Sequence, residues 1–393
     1  MADKLGIDPL TFRRDNALKK GDLAALGYEM QTEVGVLATI QAAKKGALYK
    51  NRKQIIKEGS QHFPSLAKFI KRGVGVASQM QGLGLGVGLP DYAKINLSLD
   101  SNGQVTIYVS TNEIGQGSYT VYSQIAAERL KVPLQRIVVV GADTEITPDS
   151  GTTTASRTTY AVGNAILLAA EKLERELFAR AADSMGWSVS TIEMKNGKVI
   201  SQGKKLPIEK LVDQEPISVR ATFRVPVADV ELGDGLPHLL YSYGTHVVLV
   251  EVNTLTGEIS VEAVEAYLDG GRVIFKAGFE GQSEGGVVQG IGYALFEEVL
   301  LKTGRFQNTN FDSYLLPTSR DVPVSILTVP VEVQEPTGPM GAKGISETCM
   351  VGVAPAILNA IDDAIGVRFT RLPVRPEDVL VALDLKKQED GGS

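Results

Sequence analysis

The sequence has 393 residues, with 40 Lys or Arg against 46 Asp or Glu, and its formal net charge is −6. With 43% hydrophobic residues it can bury one large core or the cores of two ordinary domains. The lack of a basic block argues against nucleic-acid binding. No run approaches the roughly 20 apolar residues of a membrane-spanning helix, and no signal peptide is expected.

The metal-ligating residue types are scarce. The one cysteine, Cys349, excludes a disulfide framework or an iron–sulfur cluster built by this chain alone. The histidines are distant from one another in sequence, which argues against a histidine-rich metal site: His62, His238 and His246. Glycine is abundant, with 41 residues, and it is clustered. The clustering indicates backbone that packs closely against something.

The N-terminal part predicts helices. Asp8 followed by Pro9 is typical of a capped helix start, and we expect a helix near residues 8–18. Residues 32–58 are rich in lysine and poor in apolar anchors, which favours a solvated surface helix. We therefore expect residues 1–70 to form a helical arm.

The next part predicts a first α+β subdomain, residues 71–240. Closely spaced glycines between residues 73 and 88 predict a loop that ends at Pro90. Residues 93–99 alternate as a half-buried strand, the turn at Asn102-Gly103 follows, and residues 105–109 form the return strand. A helix (118–130), a strand (136–140) and a long helix (160–185) complete the pattern, and residues 186–240 are less regular.

A similar layout predicts a second subdomain, residues 241–384. Two strands (244–252 and 258–268) flank a hairpin turn and are followed by a helix (282–298), a strand (325–333) and a last helix (353–365). Residues 385–393 are expected to be a flexible tail. The sequence thus predicts an α+β fold of two similar strand-hairpin and helix subdomains, although no residue-level repeat joins them.

Four loops next to predicted helices are candidates for a binding site. Residues 113–117 open a helix with Gly115-Gln116-Gly117, and free N–H groups at a helix start suit an anion. Residues 151–159 combine six hydroxyl side chains with Arg157 before a long helix, which suits a phosphate. Taken alone, the first loop is more often a structural turn, and the second is more often an elaborate helix cap.

The other two candidate loops lie in the second subdomain. Residues 281–292 hold Gln282 at the mouth of a glycine-rich helix, and the glycines could equally serve helix packing. Residues 338–349 place Glu347 in a glycine-rich loop, where burial could tune a carboxylate for base work. Glu347 could also be an ordinary exposed acid, and Cys349 a small buried hydrophobe. The glycine run 82–88 precedes a strand instead of opening a helix, so it is not a dinucleotide fingerprint.

Taken in order, these blocks resemble the molybdenum hydroxylases, the xanthine dehydrogenase/aldehyde oxidase family. The resemblance lies in five ordered blocks: Asp8-Pro9…Arg13…Asn16, Gly115-Gln116-Gly117…Glu128, Asp143-Thr144…Asn164-Ala165, Gly281-Gln282…Glu297-Glu298 and Lys343-Gly344-Ile345-Ser346-Glu347…Arg368. It covers only the C-terminal part of the family's molybdenum subunit. The chain is therefore expected to be half of a split molybdopterin subunit, like the medium chain of nicotinate dehydrogenase.

The resemblance implies a molybdopterin cofactor with molybdenum, in the cytosine dinucleotide form. It implies that Glu347 is the catalytic base, that no side chain ligates the metal, and that the cofactor is contacted by Ile114, Gly115, Gln116, Thr154, Ala155, Ser156, Thr158 and Gln282. It also implies a second molybdopterin-binding chain, an FAD subunit, a [2Fe-2S] subunit, a small-molecule substrate and a cytoplasmic location. An N-heteroaromatic substrate is favoured over an aldehyde, and a non-catalytic assembly subunit is the alternative from another class. A plain nucleotide-binding module is a third possibility.

The sequence departs from the family pattern at two places. The family has Gly-x-Gly-Glu-Pro around its base, whereas this chain has Gly344-Ile345-Ser346-Glu347-Thr348. The family's Asn-Pro before the Gly-Gln helix is replaced by Phe275-Lys276.

Overall fold

A computed structural model describes residues 1–59, 67–228 and 237–391 of the chain. Parts of three predictions lie outside these residues: 60–66 of the helical arm, with His62, 229–236 of the irregular middle, and 392–393 of the tail. The helices of the described residues are α1 (Ala2–Leu5), α2 (Pro9–Asp15), α3 (Val36–Lys45), α4 (Ala47–Lys50), α5 (Arg52–Glu58), α6 (Ser118–Leu130), α7 (Thr158–Met185), α8 (Lys276–Leu295), α9 (Thr348–Val351), α10 (Val353–Ile365) and α11 (Pro376–Gly391).

The strands of the same residues form two four-stranded sheets and two small ones. They are β1 (Ile70–Leu83), β2 (Tyr92–Leu99), β3 (Val105–Val109), β4 (Ile137–Gly141), β5 (Glu193–Lys195), β6 (Lys198–Ser201), β7 (Lys204–Pro207), β8 (Ile217–Arg224), β9 (Leu240–Asn253), β10 (Ile259–Asp269), β11 (Leu301–Lys302), β12 (Arg305–Phe306) and β13 (Ser325–Pro330).

The first large sheet has the strand order β4-β3-β2-β8. Strands β2 and β3 form the predicted hairpin, and Gly103 at its turn has a φ of 80°, a left-handed conformation that suits glycine. After β3 the chain passes through α6 and returns as β4, parallel to β3. Alternate residues of β2, such as Ile95 and Leu97, are fully buried beneath α6 and α7. This alternation is what the sequence pattern predicted.

The second large sheet has the strand order β1-β9-β10-β13, and the chain passes through it in a similar sequence of elements. Strands β9 and β10 form a hairpin, α8 follows, and β13 returns parallel to β10. Helix α10 covers this sheet, as α7 covers the first. In each half, therefore, an antiparallel hairpin is followed by a helix, a parallel strand and a second helix. The prediction of two similar α+β halves is confirmed.

One edge strand of each large sheet was not predicted: β1 in the second sheet and β8 in the first. Strand β1 occupies residues expected to be a glycine-rich loop, and β8 occupies part of the irregular middle. The loop prediction was wrong because Gly73 and Gly75 serve packing: a Cβ on Gly73 would lie 2.0 Å from the carbonyl oxygen of Ala360 in α10. β1 pairs with β9, so the second sheet includes residues 70–83, which lie outside the predicted range 241–384. The predicted domain boundaries stay a prediction.

The N-terminal arm packs against the second sheet. Asp8 caps α2, since its carboxylate accepts the Thr11 N–H at 2.9 Å, as predicted. Residues 32–58 contain three short helices, and Ile40, Ala43 and Tyr49 are buried among strands β1, β9 and β10. The expectation of a solvated surface helix was therefore wrong. A few apolar anchors spaced over three helices are enough to bury one side of the arm.

Two further differences concern the C-terminal part. The predicted flexible tail begins inside α11, which continues to Gly391. The stretch Thr348–Ile365 has a mean hydropathy of 1.3 and is, by length and composition alone, apolar enough to cross a membrane. The statement that no run approaches this length was therefore wrong. Of this stretch, 56% is buried within the chain, where α10 packs on β1 and β9.

Candidate active site

A narrow cleft lies where the two halves of the molecule meet. All four candidate loops reach it, because each loop precedes or begins a helix that covers one of the two sheets. The lining residues are Gln116, Ser118, Val121, Ser156, Thr158, Thr159, Gly270, Arg272, Val273, Ile274, Phe275, Gly278, Phe279, Gln282, Ala342, Lys343, Gly344, Ile345 and Ser346. Four of the predicted site residues are therefore in one place: Gln116, Ser156, Thr158 and Gln282.

The first loop presents a side chain instead of free N–H groups. The Glu113 carboxylate accepts the backbone N–H of Gly115 and Gly117, both at 2.9 Å, and that of Tyr119 at 3.1 Å. Burial alone would raise the pKa of Glu113, but these donors lower it below its ordinary value. The prediction of an external anion at this helix start was wrong, because the Glu113 carboxylate already accepts these N–H groups.

Gln116 is held in place by the same loop. Its side-chain Oε1 accepts the Ile114 N–H at 2.7 Å, and its Nε2 donates to the carbonyl oxygen of Asn112 at 2.8 Å. The loop contains two other predicted cofactor contacts, Ile114 and Gly115. Ile114 is 81% exposed and Gly115 is exposed, and neither lines the cleft. In this loop, only Gln116 of the three faces the cleft.

The second loop is shaped by a buried guanidinium. Arg157 is 1% exposed and pairs with Asp91 at 2.7 Å. It also donates to the carbonyl oxygens of Tyr92 and Thr152. Its donors are thus used to fold the loop, and it is not available to bind a phosphate as the sequence suggested.

The same arrangement points Ser156 at the other half of the molecule. Ala155 and Ser156 have left-handed φ values of 52° and 48°, which is uncommon for residues with a Cβ. Ser156 and Thr158 line the cleft, whereas Thr154 and Ala155 do not.

The fourth loop brings Glu347 to this serine. The Ser156 hydroxyl donates to the Glu347 carboxylate, and the Glu347 N–H donates back to Ser156 Oγ at 3.3 Å. Gly344 touches the same place, since a Cβ there would lie 2.0 Å from the carbonyl oxygen of Ser156. Glu347 is half-buried, and burial raises its pKa above the ordinary value. The predicted base is thus a partly desolvated carboxylate at the edge of the cleft.

The third loop contributes residues that sequence reasoning missed. Helix α8 begins at Lys276, not near residue 282, so Gln282 lies in its second turn. The preceding residues Arg272 to Phe275, and Phe279 in the first turn, form one wall. Phe275 packs over Gly117, where a Cβ would lie 3.2 Å from the ring. The departure noted at Phe275-Lys276 was the available signal for this wall.

Other reactive residue types do not contribute. Cys349 is buried, burial raises the pKa of its thiol, and its Sγ donates to the Ile345 carbonyl oxygen at 3.1 Å. It is a packed core residue and not a nucleophile. Within residues 1–59, 67–228 and 237–391, no group of three His, Cys, Asp or Glu side chains could hold a metal ion.

The family model described as "Molybdopterin cofactor-binding domain" matches residues 42–323. The chain belongs to this family. The side chains in the cleft fit such a cofactor, since amides and hydroxyls suit a pterin and its phosphates, and Phe275 and Phe279 suit a flat ring.

The relatives that the chain is similar to in sequence include subunits of dehydrogenases. The chain is 32% identical to a probable xanthine dehydrogenase subunit of Bacillus subtilis, over 98% of this chain and 50% of that protein. It is 32% identical to the gamma subunit of the 6-hydroxypseudooxynicotine dehydrogenase complex of Paenarthrobacter nicotinovorans, over 79% of this chain and 39% of that protein.

Solved structures show the same fold. Quinoline 2-oxidoreductase from Pseudomonas putida superposes with a TM-score of 0.84 at 25% identity, covering 98% of this chain and 50% of that one. Aldehyde oxidoreductase from Desulfovibrio desulfuricans gives a TM-score of 0.79 at 30% identity, covering 97% and 39%. The chain spans half, or less, of the length of these relatives.

Proposed function

We propose that this chain is one half of a split molybdopterin-binding subunit in a molybdenum hydroxylase. The complex would hydroxylate an electron-poor carbon of an N-heteroaromatic substrate with oxygen derived from water. The observation that carries the proposal is the position of Glu347, a partly desolvated carboxylate beside a cleft lined by amides, hydroxyls and two phenylalanines.

The cleft residues would hold the cofactor, in the proposed cytosine dinucleotide form. Gln116 and Gln282 would contact the pterin from opposite halves of the molecule, and Ser156 and Thr158 would contact it at the start of α7. Ile114, Gly115, Thr154 and Ala155 would contact only parts of the cofactor that extend beyond the cleft. No metal ligand from this chain is proposed.

Glu347 would act as the general base. A molybdenum group bound in the cleft would supply the redox chemistry. Glu347 takes up the proton from the oxygen that attacks the substrate carbon, and its raised pKa makes it a better acceptor than an ordinary glutamate. Ser156 aims the carboxylate through the hydrogen bond from its hydroxyl.

A second chain would complete the site. The cleft encloses only about 90 Å³, well below the roughly 300–1,000 Å³ of a typical small-molecule site. A molybdopterin-binding partner chain would close it, and the names of several relatives, which are subunits of complexes, support such a partner. Electrons would leave through a [2Fe-2S] subunit to an FAD subunit. A cytoplasmic location stays a prediction.

The relatives' names favour heterocyclic substrates without deciding among them. They include xanthine, nicotine and quinoline enzymes, but also aldehyde oxidoreductases. An aldehyde substrate is therefore the second candidate within the same chemistry.

The test is analysis of the complex that co-purifies with the tagged chain, together with one variant pair. We expect about one molybdenum per chain, with iron, flavin and a second chain. Glu347→Gln should keep the molybdenum and lose most of the turnover, whereas Glu284→Gln, an exposed carboxylate on α8, should change neither. A complex without molybdenum would refute the proposed function, and full turnover in Glu347→Gln would refute the assignment of the base.

A further inference from the structure

A fully buried ion pair lies beneath the cleft. Lys343 Nζ and the Asp269 carboxylate are 2.8 Å apart, and both side chains are 0% exposed. Asp269 is the last residue of β10, and Lys343 precedes Glu347 by four residues in the fourth loop. The pair therefore joins the two loops that the second half of the molecule contributes to the cleft.

The backbones of the two loops are bonded at the same place. Lys343 N–H donates to the Gly270 carbonyl oxygen at 2.7 Å, and Arg272 N–H donates to the Gly341 carbonyl oxygen at 2.9 Å. Between them, Gly271 and Ala342 form an antiparallel bridge. The loops thus form a short ladder, and the ion pair lies at one end of it.

The carboxylate of Asp269 is the centre of this junction. Besides Lys343, its Oδ1 accepts the N–H of Gly271 at 3.0 Å and that of Val333 at 3.3 Å. The N-terminal arm seals it from the other side, because a Cβ on Gly35 would lie 2.0 Å from Asp269 Oδ2. The ammonium of Lys343 lies 5.3 Å from the centre of the Tyr243 ring. Both oxygens of the carboxylate therefore accept hydrogen bonds, and the ammonium lies between the carboxylate and an aromatic ring.

Stability alone is a poor reason for such a pair. Removing two charges from water costs several kcal/mol for each ion, and well-packed neutral residues often replace a buried pair without loss of stability. A buried pair can, however, favour one alignment of the segments it joins, because another alignment would leave a charge unpaired.

Resting on the proposed function, we infer that Asp269 and Lys343 are positioning residues that set the alignment of the two cleft loops, and through it the place of Glu347 and of the bound cofactor. Lys343 is among the residues that line the cleft, but its side chain and that of Asp269 are 0% exposed, so we assign neither side chain a contact with the reacting atoms.

The experiment compares two double variants in the full complex. D269N/K343M removes both charges, while the Asn oxygen still accepts the N–H groups of Gly271 and Val333. The matched control is R72M/E251Q, which neutralises another buried pair, at 2.7 Å between β1 and β9, whose residues do not line the cleft. The measurements are the melting temperature, the molybdenum content per chain, and the turnover per bound molybdenum.

We expect both double variants to melt within a few degrees of the wild type. In D269N/K343M alone, the molybdenum content should fall several-fold and the turnover per molybdenum about 100-fold, since a misplacement of about 1 Å has such an effect. Unchanged content and turnover in D269N/K343M would overturn the inference. Failure of that variant to fold, while the control folds, would also overturn it by making the pair a folding requirement. A wild-type complex without molybdenum would instead count against the proposed function.

Discussion

Gly344→Ala is expected to separate the two halves of the cleft. The added Cβ would lie 2.0 Å from the carbonyl oxygen of Ser156 and 2.9 Å from its carbonyl carbon. An ordinary contact begins at 3.4 Å, so the loops must move apart by roughly 1.4 Å. The obstacle is backbone, and the Arg157–Asp91 pair fixes that backbone, so the Ser156 loop has little room to yield.

The movement should show in function more than in folding. A displacement of about 1 Å at a reacting group lowers rates about 100-fold, whereas overpacking costs about 1–3 kcal/mol of unfolding free energy. The assays are turnover per bound molybdenum in the purified complex and chemical denaturation of the chain. Both loops should still fold, because the Gly344→Ala substitution removes no hydrogen-bond donor or acceptor.

The matched control is Gly285→Ala in α8. Gly285 is exposed, and a Cβ there meets nothing within 4 Å. Alanine should therefore stabilise the helix by up to about 1 kcal/mol and leave turnover unchanged. Wild-type turnover in Gly344→Ala would refute the reasoning, since it would mean that the Ser156 and Gly344 loops do not meet as described.

Three further outcomes are expected. Ser156→Ala removes a donor to the Glu347 carboxylate, so the pKa of Glu347 should rise and the acid limb of the pH–rate profile should move to higher pH. Ser156→Thr keeps a hydroxyl, so it should move the acid limb less. Burial lowers the pKa of His246 from 6.5 to about 4, so the unfolded chain takes up a proton that the folded chain refuses. The contribution of His246 to the free energy of unfolding should therefore fall by roughly 3 kcal/mol between pH 6.5 and 4. Chemical denaturation at both pH values should show that His246→Gln loses less stability over this range than the wild type does. Cys349 should resist alkylation until the chain is unfolded, as mass spectrometry would show.

The elements that the sequence predicted well depend on neighbours in the chain. The β2–β3 hairpin has its Asn102-Gly103 turn, and α2 has its Asp8 cap. Each of these signals acts within a few residues, so no knowledge of the rest of the fold is needed to interpret it. The repeated order of hairpin, helix and strand followed from the same local signals.

The missed strands depend on partners elsewhere. Strand β1 pairs with β9, for example Val74 with Leu249, and its glycines allow the backbone of α10 to approach. Without that partner and that helix in view, repeated glycines indicate a loop. A glycine required by close packing and a glycine required by a turn have the same appearance in the sequence.

The two similar halves and the four loops could be predicted from the sequence, and the resemblance to the family predicted Glu347 as the base. Only the tertiary structure decided how those loops are used. It placed Ser156 against Glu347 across 191 positions of the chain, turned Arg157 inward onto Asp91, and let Glu113 occupy the helix start expected to bind an anion. The physical reason is that hydrogen-bonding groups and charges take the partners that folding brings near them, and those partners come from distant parts of the chain.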